Sequence, residues 1–245
     1  MAHSYEQAAG KLMVALDFPT AEQARGLIES LEGIPCYMKV GMQLFYTGGP
    51  DFVRELKSKG YSVFLDLKMH DIPNTVKGGA NSITRLGVDM FNVHAAGGLK
   101  MMSAALDGVV SALESDSALK RPLLIAVTQL TSTNRDTLNR EIGIPGTVED
   151  AVLSYAALTK EAGLDGVVAS PLEVHAIKGQ CGAGFITVTP GIRPAGVDAG
   201  DQSRTLTPRE AIAQGTDYIV VGRPITAAVK PREAAEQIIG EMMQA

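Results

Sequence analysis

The sequence has only two cysteines, no run of basic residues, and no apolar stretch long enough to span a membrane. Cys36 and Cys181 have neither zinc-ligand nor redox spacing, which points to buried thiols in a reducing compartment. A net charge of −5 with no basic run argues against a nucleic-acid surface, although a basic pocket inside an acidic shell stays open. A transmembrane helix needs about 20 apolar residues in succession, and none is found. The segment Met1-Ala2-His3-Ser4-Tyr5-Glu6-Gln7 is polar and lacks a secretory signal pattern. These absences leave a cytoplasmic protein with no membrane and no nucleic-acid partner as the expectation. The chain also lacks a composition break, a low-complexity stretch or a long linker, so one domain over 1–245 is expected.

Apolar strand-like runs alternate with helix-like segments along the chain. Strands are expected at 12–16, 37–40, 62–67, 90–93, 123–127, 166–169, 185–188 and 218–221. Helix starts are signalled at Thr20-Ala21-Glu22-Gln23, at Thr147-Val148-Glu149-Asp150 and at Thr207-Pro208-Arg209-Glu210, where a hydroxyl and a later polar side chain can cap each other's backbone. Gly60, Gly163 and Gly215 stand where helices should stop. Strict alternation with eight repeats implies parallel strands joined by crossover helices. The first turn, Leu16-Asp17-Phe18-Pro19-Thr20, lacks the glycines of a doubly wound nucleotide-binding sheet. An α/β fold of the TIM (β/α)8 barrel type is therefore expected.

In such a barrel the active site lies at the C-terminal ends of the strands, and the polar residues of this chain gather there. The third strand ends in Asp66-Leu67-Lys68-Met69-His70-Asp71. Alternation puts Asp66 and Lys68 on one face and Val63, Leu65 and Leu67 on the other, with Asp71 beyond the strand. Opposite charges projecting together from a strand end are costly to desolvate unless paired. Asp17 ends the first strand, Lys39 lies near the end of the second, His94 follows the fourth, and Thr128-Gln129-Leu130-Thr131 follows the fifth. Each has a plainer reading taken alone. Asp17 could stop a strand, Lys39 could extend its ammonium to solvent, His94 could be a core histidine, and Thr131 could cap a helix. Their convergence on neighbouring strand ends raises the functional reading.

The loops after strands seven and eight often bind phosphate in this architecture. Gly222-Arg223 ends the eighth strand, and Arg193 follows the seventh. Glycine lets backbone N–H groups approach an anion, and arginine offers a planar fork for phosphate oxygens. The polar, glycine-rich segment 193–205 is long enough to be a lid over that site.

These residues together resemble the orotidine 5′-phosphate decarboxylase family over nearly the whole chain. The resemblance rests on Val14-Ala15-Leu16-Asp17, Lys39, the run from Asp66 to Asp71 continued by Ile72-Pro73-Asn74-Thr75, Leu130-Thr131-Ser132, Thr189-Pro190-Gly191-Ile192-Arg193-Pro194, Gln202, and Val221-Gly222-Arg223-Pro224-Ile225. It implies decarboxylation of orotidine monophosphate to UMP in pyrimidine synthesis, with no metal and no organic cofactor. Lys68 would donate the proton to C6 of the pyrimidine, and Asp66 would face the substrate carboxylate between Lys39 and Lys68. Asp17 and Lys39 would bind ribose hydroxyls, and Thr131 the pyrimidine edge. Arg193, Gln202, Gly222 and Arg223 would gather the phosphate. The family also implies a homodimer in which Asp71 and Thr75 reach the neighbouring subunit's site.

Loss of CO2 from an sp2 carbon leaves an electron pair with little resonance relief, and many decarboxylases meet this with a cofactor acting as an electron sink. A fixed ammonium near C6 would favour the carbanion electrostatically instead. The nearest rival is a magnesium-dependent sugar-phosphate decarboxylase or synthase with a similar D-x-K-x-x-D strand end. A metal-dependent phosphosugar epimerase would want paired His and Asp ligands, which His94 alone does not supply. A catalytically silent nucleotide-binding barrel is a third reading, opposed by the intact Lys–Asp array.

Overall fold

The computed structural model describes residues 4–194 and 205–245. Eight parallel strands close into a barrel in sequence order. They are β1 (Leu12–Ala15), β2 (Tyr37–Gly41), β3 (Ser62–Met69), β4 (Met90–His94), β5 (Leu123–Val127), β6 (Gly166–Val168), β7 (Ile186–Thr189) and β8 (Tyr218–Val221). Each lies within a residue or two of its expected position. Outside them run α1 (Tyr5–Ala9), α2 (Ala21–Ser30), α3 (Met42–Ser58), α4 (Pro73–Leu86), α5 (Gly98–Ser115), α6 (Val148–Glu161), α7 (Val174–Cys181), α8 (Pro208–Ala213), α9 (Arg223–Thr226) and α10 (Pro231–Met243). Among the described residues no helix is long and apolar enough to cross a membrane.

The helices start where the caps predict, with the box expected at Thr20 and Gln23 showing only its hydroxyl half. The Thr20 hydroxyl accepts the Gln23 N–H at 3.3 Å. Both halves of the capping box form at Thr147 with Asp150 and at Thr207 with Glu210. Gly60, Gly163 and Gly215 all have positive φ, the conformation that lets a chain leave a helix without a Cβ clash.

Strand alternation sorts the apolar residues into two layers. Met13, Phe64, Met90, Ile125 and Val188 fill the barrel interior. Val14, Val63, Leu65, Phe91, Val93 and Leu124 point outward into the larger core beneath the helices. On β3 this fixes Phe64 and Asp66 inward, so the interior changes from apolar to charged within two residues of one strand. At Gly166 a Cβ would lie 2.1 Å from the Ile186 carbonyl oxygen, so only glycine permits β6 and β7 to pair there. Both cysteines are buried and free, and burial pushes the Cys36 thiol up to about 12.

The N-terminal end of the barrel is fastened by a device used three times. Gly87-Val88-Asp89, Gly163-Leu164-Asp165 and Gly215-Thr216-Asp217 each end a helix on a positive-φ glycine and place an aspartate two residues later. Asp89, Asp165 and Asp217 accept the N–H of Val63, Leu124 and Thr187 at 2.7, 2.7 and 2.8 Å. Each acceptor ties the start of one strand to the start of the next. Lys57, Arg121 and Lys178 pair with the same three carboxylates. A buried N–H deprived of such an acceptor costs about 1–3 kcal/mol. The end opposite the site is thereby held by charge-assisted bonds, and the site end is left free for other chemistry.

Candidate active site

At the C-terminal end of the strands lies a cavity of about 400 Å3. Asp17, Lys39, Asp66, Lys68, Thr131, Arg193, Gly222 and Arg223 all line it. Gln129 and Ser132, on the connection after β5, line it as well; both stand in motifs noted in the sequence, where neither was given a role. Gln202 lies outside the described residues. Asp71 and Thr75 are exposed and stand apart from this lining, and in this chain the Asp71 carboxylate accepts the N–H of Ile72 at 2.6 Å. A second hollow, about 350 Å3, lies at the opposite end near Glu32, Cys36, Lys59 and Tyr61 and receives none of these side chains.

The charged residues form a row of alternating sign. Asp17 Oδ1 lies 2.8 Å from Lys39 Nζ, Lys39 Nζ lies 3.8 Å from Asp66 Oδ2, and Asp66 Oδ1 accepts from Lys68 Nζ at 2.7 Å. Lys39 is 7% exposed. Its ammonium is tolerable there because carboxylates stand on either side. Burial alone would raise the Asp66 pKa. The ammoniums of Lys39 and Lys68, with hydrogen bonds from Lys68 and Asn92, outweigh burial and hold it below its usual value. Asp66 is therefore ionised across the neutral range.

Local backbone geometry places Lys68. Its φ is +54°, and it is the one non-glycine residue with positive φ among the described residues. A left-handed conformation costs a side-chain-bearing residue about 1–2 kcal/mol. At the same point the pairing of β3 with β4 shifts register between Leu65 and Met69. Asn92, 1% exposed, crosses the gap: its Oδ1 accepts the Lys68 backbone N–H at 2.8 Å and its Nδ2 donates to Asp66 Oδ1 at 2.7 Å.

The same cavity also has basic lining. Arg193 and Arg223 border it, with Gly222 preceding the short helix α9. The two ends of the segment expected to act as a lid are joined at their base, where Ile192 bridges Leu206 and the Arg193 N–H donates to the Leu206 carbonyl at 3.0 Å. Two arginines, a glycine and a helix start suit an anion, while the alternating row suits a reacting carboxylate. Among the described residues no group of three or more His, Cys, Asp and Glu side chains is arranged to hold a metal ion.

A family model described as orotidine 5′-phosphate decarboxylase / HUMPS family matches residues 10–238. The chain belongs to this family. An orotidine 5′-phosphate decarboxylase of Bacillus cereus (strain Q1) is 52% identical over 227 residues, covering 93% of this chain and 94% of that protein. One from Bacillus cytotoxicus matches to the same extent. Among solved structures, an orotidine 5′-phosphate decarboxylase from Lactobacillus acidophilus superposes with a TM-score of 0.84 at 43% identity, covering 94% of this chain and 98% of that one. A more distant one from Pyrococcus horikoshii gives 0.72 at 27% identity over 94% and 98%. The barrel expected from strand–helix alternation is thus the fold of the family.

His94 ends β4 half-buried, its ring centre 5.7 Å from that of His70. Burial, then the charges of His70 and Lys68, lower its pKa from 6.5, with Asp66 opposing them. The unfolded chain therefore takes up this proton more readily than the folded one, so stability declines as pH falls below 6.5. His94→Gln is expected to remove that decline, measured by urea unfolding from about pH 5 to about pH 8. A decline as steep as in the unaltered protein would contradict the assignment.

Proposed function

We propose that this protein removes CO2 from orotidine 5′-monophosphate to give UMP, the last step of pyrimidine nucleotide synthesis, with no metal or organic cofactor. The observation that carries the reading is the row Asp17–Lys39–Asp66–Lys68 lining one cavity together with Arg193 and Arg223. The name borne by relatives at 52% identity supports the substrate. A cytoplasmic location goes with this pathway, and 1–245 is read as one domain.

The residues take these roles in the proposal. Arg193, Gln202, Gly222 and Arg223 grip the phosphate, Asp17 and Lys39 hold ribose hydroxyls, and Thr131 meets the pyrimidine edge. The C6–carboxylate bond breaks and its electron pair stays on C6 while CO2 departs. The Lys68 ammonium, fixed beforehand, stabilises that pair and then gives C6 a proton, and its amine regains one from solvent. An ammonium held in a site cleared of water acts more strongly than one in bulk solvent. Asp66 stands beside the departing carboxylate and disfavours the reactant's charge. Phosphate binding, remote from C6, supplies energy for holding the ring and closing the site.

A spectrophotometric assay for loss of orotidine monophosphate tests this. Turnover is expected with EDTA present, and Lys68→Ala is expected to lower kcat by about 10³-fold or more while the protein stays folded. A strict need for added magnesium would favour the sugar-phosphate rival, and near-normal kcat in Lys68→Ala would remove the proton-donor role.

The homodimer is part of the same proposal. The exposed segment from Asp71 to Thr75 carries Ile72, 67% exposed, and none of its residues lines the chain's own cavity. In the proposal Asp71 and Thr75 complete the partner's site. Mixing Lys68→Ala and Asp71→Ala subunits then gives heterodimers with one intact site of two, and about a quarter of normal activity should return after random exchange. No gain over the separate variants would show that each chain works with its own Asp71.

A further inference from the structure

We infer that Asn92 is the positioning residue for the Asp66–Lys68 pair. Leu65 pairs with Phe91 and Met69 with Val93, so Asp66, Leu67 and Lys68 of β3 stand opposite Asn92 alone on β4. Two residues more than the ladder can pair are accommodated on β3 at the point where the charged residues emerge. Such bulges bend a strand and re-aim a side chain. This one includes the left-handed turn at Lys68.

A bulge leaves backbone groups without ladder partners, and a buried N–H needs an acceptor. The Asn92 side chain supplies it through Oδ1 to the Lys68 N–H, at 2.8 Å. The other end of the same amide donates to Asp66 Oδ1, the oxygen that also accepts from Lys68 Nζ. One planar group thus fixes the Lys68 backbone and the rotation of the Asp66 carboxylate together. Asp66 Oδ1 is turned to Lys68, which leaves Oδ2 toward Lys39. Asn92 lies between Phe91 and Val93, both in the outer core, so its inward direction is set by strand alternation.

The chemistry demands an acceptor at one end and a donor at the other. Alanine provides neither. Aspartate is nearly isosteric: protonated, its carbonyl can accept from Lys68 and its hydroxyl can donate to Asp66. Ionised, it sets a second carboxylate against Asp66. Asn92 reaches the reacting atoms only through Asp66 and Lys68, so its loss should alter kcat while leaving the phosphate grip intact.

This inference rests on the decarboxylase reading. The unaltered protein, Asn92→Ala and Asn92→Asp are compared in crystal structures and in kinetics with orotidine monophosphate. Asn92→Ala is expected to lose about 10²-fold in kcat with KM within about threefold, the scale of a misplaced reacting group. Asn92→Asp is expected to lose kcat relative to the unaltered protein by at least about tenfold more near pH 8 than near pH 5, as its carboxyl ionises. In crystals of Asn92→Ala, Lys68 is expected to leave positive φ. Folded variants with kcat within about threefold at every pH, a parallel pH profile for Asn92→Asp, or an unmoved Lys68 in Asn92→Ala would each overturn the inference. Failure of both variants to fold would also overturn it, making Asn92 a residue of the barrel rather than of the site. If the unaltered protein does not consume orotidine monophosphate, the decarboxylase reading fails, and the crystal structures still decide what Asn92 holds.

Discussion

A carboxylate inside a barrel stays ionised only where positive charge is brought to it, and Asp66 determines where that charge must lie. Its two oxygens face two different ammoniums, Lys68 at 2.7 Å and Lys39 at 3.8 Å. Lys39 in turn is buried and leans on Asp17. Removing any one of the four leaves a neighbour with uncompensated charge, so the row stands as a unit. Its cost in desolvation and in the strained turn at Lys68 falls on the same few residues. That concentration is what a site prepared before its substrate arrives requires.

The rest of the barrel serves this arrangement in two ways. At the far end, Asp89, Asp165 and Asp217 fasten strand starts to one another, which makes the frame rigid where nothing reacts. Inside, Met13, Phe64, Met90, Ile125 and Val188 form an apolar floor beneath the charges. Such a floor lowers the local dielectric and strengthens each interaction above it. Arg193 and Arg223 line the same cavity without belonging to the row, so the binding of an anionic tail and the handling of a reacting carboxylate fall to different side chains.

Much of this was legible in the residues. Eight apolar runs with helix signals between them are enough for the barrel, because parallel neighbours require crossover helices. The charged residues could be placed because strand ends in this fold point to one rim. Asn92 could not be found in this way. A lone asparagine in the strand Met90-Phe91-Asn92-Val93-His94 reads as a minor interruption, and the bulge that gives it partners comes from the register in which β3 meets β4, which no local pattern fixes. Period-two alternation placed Asp66 and Lys68 on one face but carried no sign of the left-handed turn between the strand and its end. Gly163 and Gly215 were legible as helix stops, but the aspartates two residues after them were not legible as clamps, because their purpose depends on which N–H each carboxylate meets. Gln129 and Ser132 reached the cavity through a connection whose path no local pattern fixes.

The claim at the centre of this account is that Asp66 is an anion held between two ammoniums before any ligand binds. Carbon-13 NMR of the side-chain carboxyls in the unliganded protein, titrated with acid and with the Asp66 signal assigned by its absence in Asp66→Asn, measures this directly. The account predicts that the Asp66 carboxyl titrates below the usual aspartate value of 3.8. A carboxyl that takes up its proton at or above 3.8 would mean that burial outweighs the lysines, and would contradict it.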